Sequence, residues 1–528
     1  MSSEHRRMAE RDEGHQPWSR WGSYLSDRQW GTVREDYSAD GNAWSSFPHD
    51  HARMRCYRWG EDGLLGISDD KGLLCFGLTL WNGCDPILKE RPFGLANGEG
   101  NHGEDLKDYF FHLLNTPTHS FMRGLYKYPQ QEFPYQHLVE ENGRRGRDQP
   151  EYELVETGIF DGNRYFDVFV DYAKATPEDL LIRIRVVNRG ADEAELNLIP
   201  TLWLRNLWDW GYKEDWRQRE PIRLQGDCIE TPDVHGVGTY QLACREQGTW
   251  LFTENETNTE RLYQQPNAQP YVKDAFHRYV VNGEQTAVNP AQEGTKAGLL
   301  LQQRIAGGAE WVVDLRLARE LPADPFDGSF DQLLQQREQE CLDYFKSCAP
   351  GLSADDALIF RSAASGLLWC KKFYRWTVVR WLSGDPNHPS PPPERLKTQN
   401  AYWRRMHADD VISMPDSWEY PYFCQWDLMF HSVAFACIDP AVAKQQSMLL
   451  RSPWYTAPNA QTPAYEWALS DPNPPIGGWA ALRIFQIERN EKGYGDLPFL
   501  RSAMRKLILE YGWWACLLYT SDAADDRD

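Results

Sequence analysis

Between about residues 160 and 320, apolar positions recur with a period of two. Ile182, Ile184 and Val186 alternate with Arg183 and Arg185, Asn188-Arg189-Gly190 offers a turn, and Leu196 and Leu198 resume the alternation toward Trp203. That pattern predicts a hairpin with one buried face. Residues 299–305, the Ala-Gly-Gly-Ala run at 306–309 and residues 311–317 predict a second hairpin. Short strands separated by Gly and Asn turns point to an antiparallel sandwich rather than βαβ units. Near residue 328 the period lengthens. Phe330, Leu333, Leu334, Cys341 and Phe345 fall at helical spacing and predict a linking helix. Further helices are predicted over 354–374, 426–438, 440–450, 477–488 and 498–514. Pro-rich connections such as 384–393 suit a helical barrel whose long loops build a site at one end.

The chain has 528 residues, enough for two or three domains and a sizeable core. The order of patterns divides it into a disordered tail at 1–16, a β-sandwich domain at 17–325, a linking helix at 326–350 and a helical domain at 351–515. Residues 516–528 read as non-native, resembling the translation of a sequencing adapter, so that the natural protein is expected to continue past 515. Against 77 acidic residues stand 56 Lys and Arg, a net charge of -21. Such a surface repels phosphate backbones and anionic lipid heads, which argues against nucleic-acid and membrane partners. The 23 Trp, 25 Tyr and 22 Phe mark a folded chain. Eleven cysteines, an odd number without a CxxC spacing, suggest neither a disulfide framework nor a zinc knuckle. The charged N-terminus lacks an apolar segment of the secretory kind, and no apolar run approaches the roughly 18 residues of a membrane span. A soluble cytoplasmic protein is therefore expected; the sequence gives no oligomeric state.

Candidate chemistry is unevenly spread. Gly98-Glu-Gly100-Asn-His-Gly103 matches GxGxxG, but Glu99, Glu104, Asp105 and Asp108 would repel a pyrophosphate, and no strand-to-helix context surrounds it. His49-Asp50-His51 is better read as polar turn residues beside Arg53 and Arg55 than as metal ligands, and neither a metal nor another cofactor is expected. The dense stretch is 411–431. Asp427 stands where loop becomes helix, with His431 one turn on and Trp418, Glu419, Tyr420, Tyr422 and Trp426 around it. Burial among those rings would raise the Asp427 pKa toward what a general acid needs. An Asp that merely caps the helix fits the same residues equally well. A second stretch carries Gln461, Tyr465, Glu466 and Trp467, then Asp471, Asn473 and Pro475. Rings stack on the apolar faces of sugars while carboxylates and amides bind hydroxyls; a Pro-rich loop packed on itself is the alternative.

These two stretches are similar to glycoside hydrolase family 63, the family of the processing α-glucosidase I and of many bacterial glucosidases. Trp426-Asp427, followed by Phe430-His431, resembles its acid-bearing segment, and 461–475 resembles the segment that follows. The opening from Trp18-Ser-Arg-Trp21 through Trp30-Gly-Thr-Val-Arg34 to Tyr37 is similar as well. The resemblance covers about residues 17–515. It implies an α+β multidomain protein, an antiparallel β-supersandwich followed by an (α/α)6 barrel that is incomplete in this chain, with helix faces left uncovered. It further implies an inverting hydrolase of α-glucosidic bonds in oligosaccharides or small glycosides. Asp427 would be the general acid. Trp418, Glu419, Trp426, His431, Gln461, Tyr465, Glu466 and Trp467 would bind substrate, and the general base would be a Glu downstream of residue 515. This chain alone is then expected to be inactive or nearly so. An inverting sugar phosphorylase of similar architecture and a noncatalytic carbohydrate-binding protein are the competing readings.

Overall fold

The computed structural model describes residues 2–29, 46–95, 99–101, 105–212, 219–233, 236–418, 423–462 and 473–520. The chain is mixed α+β and divides into two compact units. One comprises Met1–Trp369 with Ser417–Glu419, the other Cys370–Asp416 with Tyr420–Asp528.

In the first unit, antiparallel pairing builds one sheet of eight strands and another of nine. Alternation along the strands sends one apolar row inward from each sheet. Leu64, Phe76, Leu202 and Ala297 from the eight-stranded sheet meet Val170, Ile184, Val313 and Leu315 from the nine-stranded one in a single buried core. Strand Asp179–Asn188 pairs with Glu310–Ala318 in a register that sets Arg183 opposite Asp314, bonded at 2.7 and 2.9 Å.

Neither expected hairpin forms. Asp179–Asn188 belongs to the nine-stranded sheet, whereas Ala194–Leu198 pairs with Lys296–Ile305 in the other. Lys296–Ile305 and Glu310–Ala318 likewise lie in different sheets. Both turns are corners where the chain changes layer, and the corners are tied together. The Asn188 amide N–H donates to the Ala309 carbonyl at 3.0 Å, the Gly308 N–H to the Asn188 carbonyl at 3.0 Å, and Asn188 Nδ2 to the Ile305 carbonyl at 2.8 Å. At Gly307 any side chain would strike the Ala191 carbonyl, so the crossing requires glycine. Period-two alternation is the same for a hairpin and for two strands facing each other across a core.

The N-terminal residues also differ from expectation. Helix α1, Ser3–Asp12, replaces the disordered tail. It is held by Glu4, fully buried, which accepts from the Thr118 amide and hydroxyl at 2.8 and 2.7 Å, Ser120 Oγ at 2.6 Å and Arg7 Nε at 2.9 Å. Burial pushes this carboxyl up, but Arg7 and the hydroxyl donors outweigh it and leave it below its ordinary value. A charge-rich segment looks like a solvated tail until its charges find buried partners. Two long helices complete the unit, α2 over Gly328–Cys348 and α3 over Ala354–Trp369. The helix expected to run to 374 stops at Trp369.

Lys371–Thr377 instead opens the second unit as a strand, paired antiparallel with His407–Ser413 so that Lys371 faces Ser413 and Trp376 faces Ala408. Aromatic and β-branched residues favour the strand over continued helix. A short helix over Val378–Ser383 follows directly, and beyond the second strand the described residues include α4, Gln425–Phe435; α5, Pro440–Leu449; α6, Gly477–Lys492; and α7, Leu497–Thr520. Asp439 caps α5 through its side chain, with Pro440 at a first-turn position where its missing N–H costs nothing. Among the described residues the helices do not close into a barrel, and none is long and apolar enough to cross a membrane.

Candidate functional site

The chemistry of the second unit gathers at the start of α4. Its N-cap is Cys424, in extended conformation, and Asp427 stands three residues on, in the first turn. Asp427 is therefore not the capping residue, although its charge still suits the positive end of the helix. The Cys424 thiol donates to Asp427 Oδ2 at 2.6 Å, which occupies one carboxylate oxygen. One turn further, His431 Nδ1 lies 2.7 Å from Ser413 Oγ at the end of strand His407–Ser413. Burial lowers the His431 pKa and outweighs the nearby charges of Asp427 and Asp416, so a neutral imidazole sits below the carboxylate. Ser413 is itself fixed: its N–H donates to Gln446 Oε1 of α5 at 3.3 Å, and Gln446 Nε2 returns to the Val411 carbonyl at 3.0 Å.

Helical geometry sorts the remaining α4 side chains by face. Gln425, Leu428, Met429, Ser432 and Phe435 are buried, while Trp426 and Phe430 point to solvent beside half-buried Asp427. Trp426 and Phe430 pack edge to face at 6.0 Å, and Phe430 meets Trp479 of α6 at 5.6 Å. Three exposed rings thus run in contact from α4 to α6, two of them on the helix that carries Asp427. Under them, Gln425 is only 1% exposed, yet neither its amide oxygen nor its nitrogen has a hydrogen-bond partner among the described residues. Ser413, Cys424, Gln425 and Trp479 were not picked out by sequence reasoning. Their separation along the chain hides them; only the i to i+3 spacing of Cys424 and Asp427 was legible.

The other expected site residues are distributed differently. Trp418 is buried in the first unit, where a side chain on Gly94 would strike its indole. Gln461 is buried in a turn of its own, its carbonyl accepting from the Ala457 N–H at 2.9 Å and its N–H donating to Asn459 Oδ1 at 3.0 Å. Glu419, Tyr465, Glu466 and Trp467 lie outside the described residues. In the 98–103 stretch only residues 99–101 are described. His49 opens a short helix, where burial and the positive charges of Arg28, Lys89, Arg91 and Arg53 hold its pKa far below the ordinary value. Four cations around an imidazole oppose a metal ion.

A separate polar feature lies in the sandwich. Glu61, Asp62, Glu90, Arg91, Lys273 and Lys296 line a cavity of about 20 Å³, room for about one water. Arg91 Nε meets Asp62 at 3.1 Å and Lys296 Nζ meets Glu90 at 2.5 Å, while Trp203 and Asn255 donate to Glu61 at 3.1 and 3.0 Å. Its carboxylates are each met by a cation or a donor, Lys273 donates to the Arg55 carbonyl at 3.0 Å, and it reads as an internal ion-pair network.

No protein-family profile matches the chain. An uncharacterized protein of Saccharomyces cerevisiae is 41% identical over 557 aligned residues, which take in 97% of this chain and 51% of that protein. The chain thus spans about half the length of this curated relative. Among solved structures, a family GH92 alpha-mannosidase from Bacteroides thetaiotaomicron is 9% identical, with 83% of this chain and 56% of that chain covered and a TM-score of 0.26. Its complex with mannoimidazole gives the same identity and TM-score over 83% and 55% of the two chains. Superpositions that loose carry no argument about chemistry.

Proposed function

We propose that this chain is part of a carbohydrate-active enzyme, an inverting glycoside hydrolase of α-glucosidic bonds in oligosaccharides or small glycosides, with Asp427 as its general acid. The observation that carries the reading is Asp427 itself: a half-buried carboxylate in the first turn of α4, one oxygen held by the Cys424 thiol, flanked by the exposed rings of Trp426 and Phe430. Rings of this kind stack on the C–H faces of a sugar, and the oxygen not held by the thiol can carry a proton to the glycosidic oxygen. Neutral His431 supports the acid from below without competing for its charge. Inversion needs a second carboxylate about 6.5–9.5 Å from the acid, with water between them. That base is assigned to sequence of the longer protein outside this chain, where additional helices would also complete an (α/α)6 barrel. Glu419, Tyr465, Glu466 and Trp467 are assigned to sugar binding.

The test replaces Asp427 with Asn in a full-length protein, which keeps shape and removes the proton donor. Hydrolysis of an α-linked gluco-oligosaccharide should fall roughly 100- to 10,000-fold, whereas a glycosyl fluoride, which needs no acid assistance, should lose far less. Equal loss on both, or none on either, would leave Asp427 as a structural first-turn residue. Release of β-glucose as the first product tests inversion. Dependence on inorganic phosphate would move the assignment to a phosphorylase, and binding without turnover to a lectin-like protein.

A further inference from the structure

Strand His407–Ser413 ends beside α4, where side chains from three separate stretches of the chain meet. The Ser413 hydroxyl is buried, and its hydrogen-bond partner among the described residues is His431 Nδ1 at 2.7 Å. Ser413 is held from two sides: ladder pairing sets it opposite Lys371, and its N–H donates to Gln446 Oε1 of α5. Gln446 Nε2 donates in turn to the Val411 carbonyl, which fixes the orientation of that amide. These bonds decide where the imidazole proton stands. A serine hydroxyl has one hydrogen to give, and a neutral imidazole has one N–H and one bare nitrogen. If Nδ1 carried the ring proton and donated to Ser413 Oγ, the buried hydroxyl hydrogen would lack an acceptor, which buried polar groups rarely tolerate. If Ser413 donates, both groups are satisfied and the ring proton stands on Nε2. A helical side chain leans over the turn before its own, so the His431 ring leans toward the turn that carries Asp427.

We propose that Ser413 is a positioning residue of the Asp427 site: its hydroxyl holds His431 as the Nε2–H tautomer and leaves the imidazole no free lone pair to take the acid's proton. The tautomer follows from the bonds alone; its catalytic consequence rests on the reading of Asp427 as the general acid. Such an acid must keep its proton until the glycosidic oxygen takes it. A histidine one turn away with a bare nitrogen is a competing base, because an ordinary imidazole binds a proton more tightly than a carboxylate does. The carboxylates whose charges act on His431 are Asp427 and Asp416, and both favour its protonation. Burial opposes them, and Ser413 closes the remaining route. Nε2 already carries a hydrogen, and a proton arriving at Nδ1 would turn the serine hydroxyl toward a place without an acceptor. His431 therefore offers the site a donor and no base.

Nitrogen NMR of this chain, labelled at its histidines, reads the tautomer without any turnover; His431→Gln assigns the signals. At neutral pH His431 should show hydrogen on Nε2 and a bare Nδ1, in a single tautomer. Ser413→Ala should admit the second tautomer, and Ser413→Thr, which keeps the hydroxyl, should restore the original spectrum. A protonated Nδ1 in the unsubstituted chain would overturn the proposal, and so would a spectrum indifferent to Ser413→Ala. In a full-length protein, Ser413→Ala should move the alkaline limb of the kcat/KM profile to lower pH by roughly one unit, a tenfold change in proton affinity, and Ser413→Thr should move it back. A limb that stays in place would overturn the positioning role. Should Asp427→Asn hydrolyse oligosaccharides at the full rate, the acid assignment falls and the catalytic consequence with it, while the spectra still decide the tautomer, so the two failures are told apart.

Discussion

The small charged cavity of the sandwich and the start of α4 treat their buried polar groups differently. In the sandwich, the carboxylates around the small cavity each have an opposite charge or a donor: Asp62 has Arg91, Glu90 has Lys296, and Glu61 has Trp203 and Asn255. At the start of α4, the buried amide of Gln425 has no hydrogen-bond partner among the described residues, while the rings of Trp426 and Phe430, and of Trp479 from α6, face solvent. An unpaired buried amide costs roughly 1–3 kcal/mol, and exposed rings forgo burial of the kind that stabilises a core. The carboxylates around the cavity are organised for stability. The α4 region carries a local cost, of the sort that a site for a ligand or another protein segment retains.

The sharpest way to break that contrast is in the sandwich. Lys296→Met takes from buried Glu90 its short ion pair and leaves it only Arg91 at 3.8 Å, and thermal or urea unfolding should register a loss of about 3 kcal/mol. If the loss is below 1 kcal/mol, the network does not stabilise the unit.

A smaller effect follows from His277. Burial first, with help from Arg53, lowers its pKa to about 4, while its Nδ1 accepts from the Leu88 N–H at 3.3 Å. The unfolded chain takes up this proton near pH 6.5. Stability from this residue is therefore complete above about 6.5 and is lost as pH falls toward 4. His277→Gln, which can still accept from Leu88, should flatten the slope of unfolding free energy between those pH values. An unchanged slope would assign the acid sensitivity to other groups.

Least of all should the α4 region matter to stability. Trp479→Ala is expected to change unfolding free energy by no more than about 0.5 kcal/mol, yet to weaken binding of an α-gluco-oligosaccharide measured by calorimetry. Gln425→Leu should be neutral or stabilise by up to about 1 kcal/mol, because it removes an unpaired buried amide rather than a bond. Clear destabilisation by Gln425→Leu would mean that the amide is satisfied after all, and the contrast between the two regions would shrink.

Local pattern on its own placed the alternating strands of 182–198 and 299–317 ahead of the long helix from Gly328. It located α4 to α7 to within a few residues, and set Asp427 beside Trp426 with His431 one turn on. Those are consequences of spacing along one chain, where a period of 2 or 3.6 suffices. Tertiary structure decided everything that needed a partner from elsewhere. It turned two apparent hairpins into corners between sheets, because the Asn188 and Ala309 backbones bond to each other across the layers. It made a helix of the charged N-terminus, because Glu4 found Thr118, Ser120 and Arg7. It ended α3 at Trp369, because Lys371–Thr377 had a strand to pair with at 407–413. It also placed Ser413 on His431, Cys424 on Asp427 and Trp418 with Gly94 in the first unit. Alternation and helical spacing report which face of an element is apolar; what that face meets is fixed only when the chain folds back on itself.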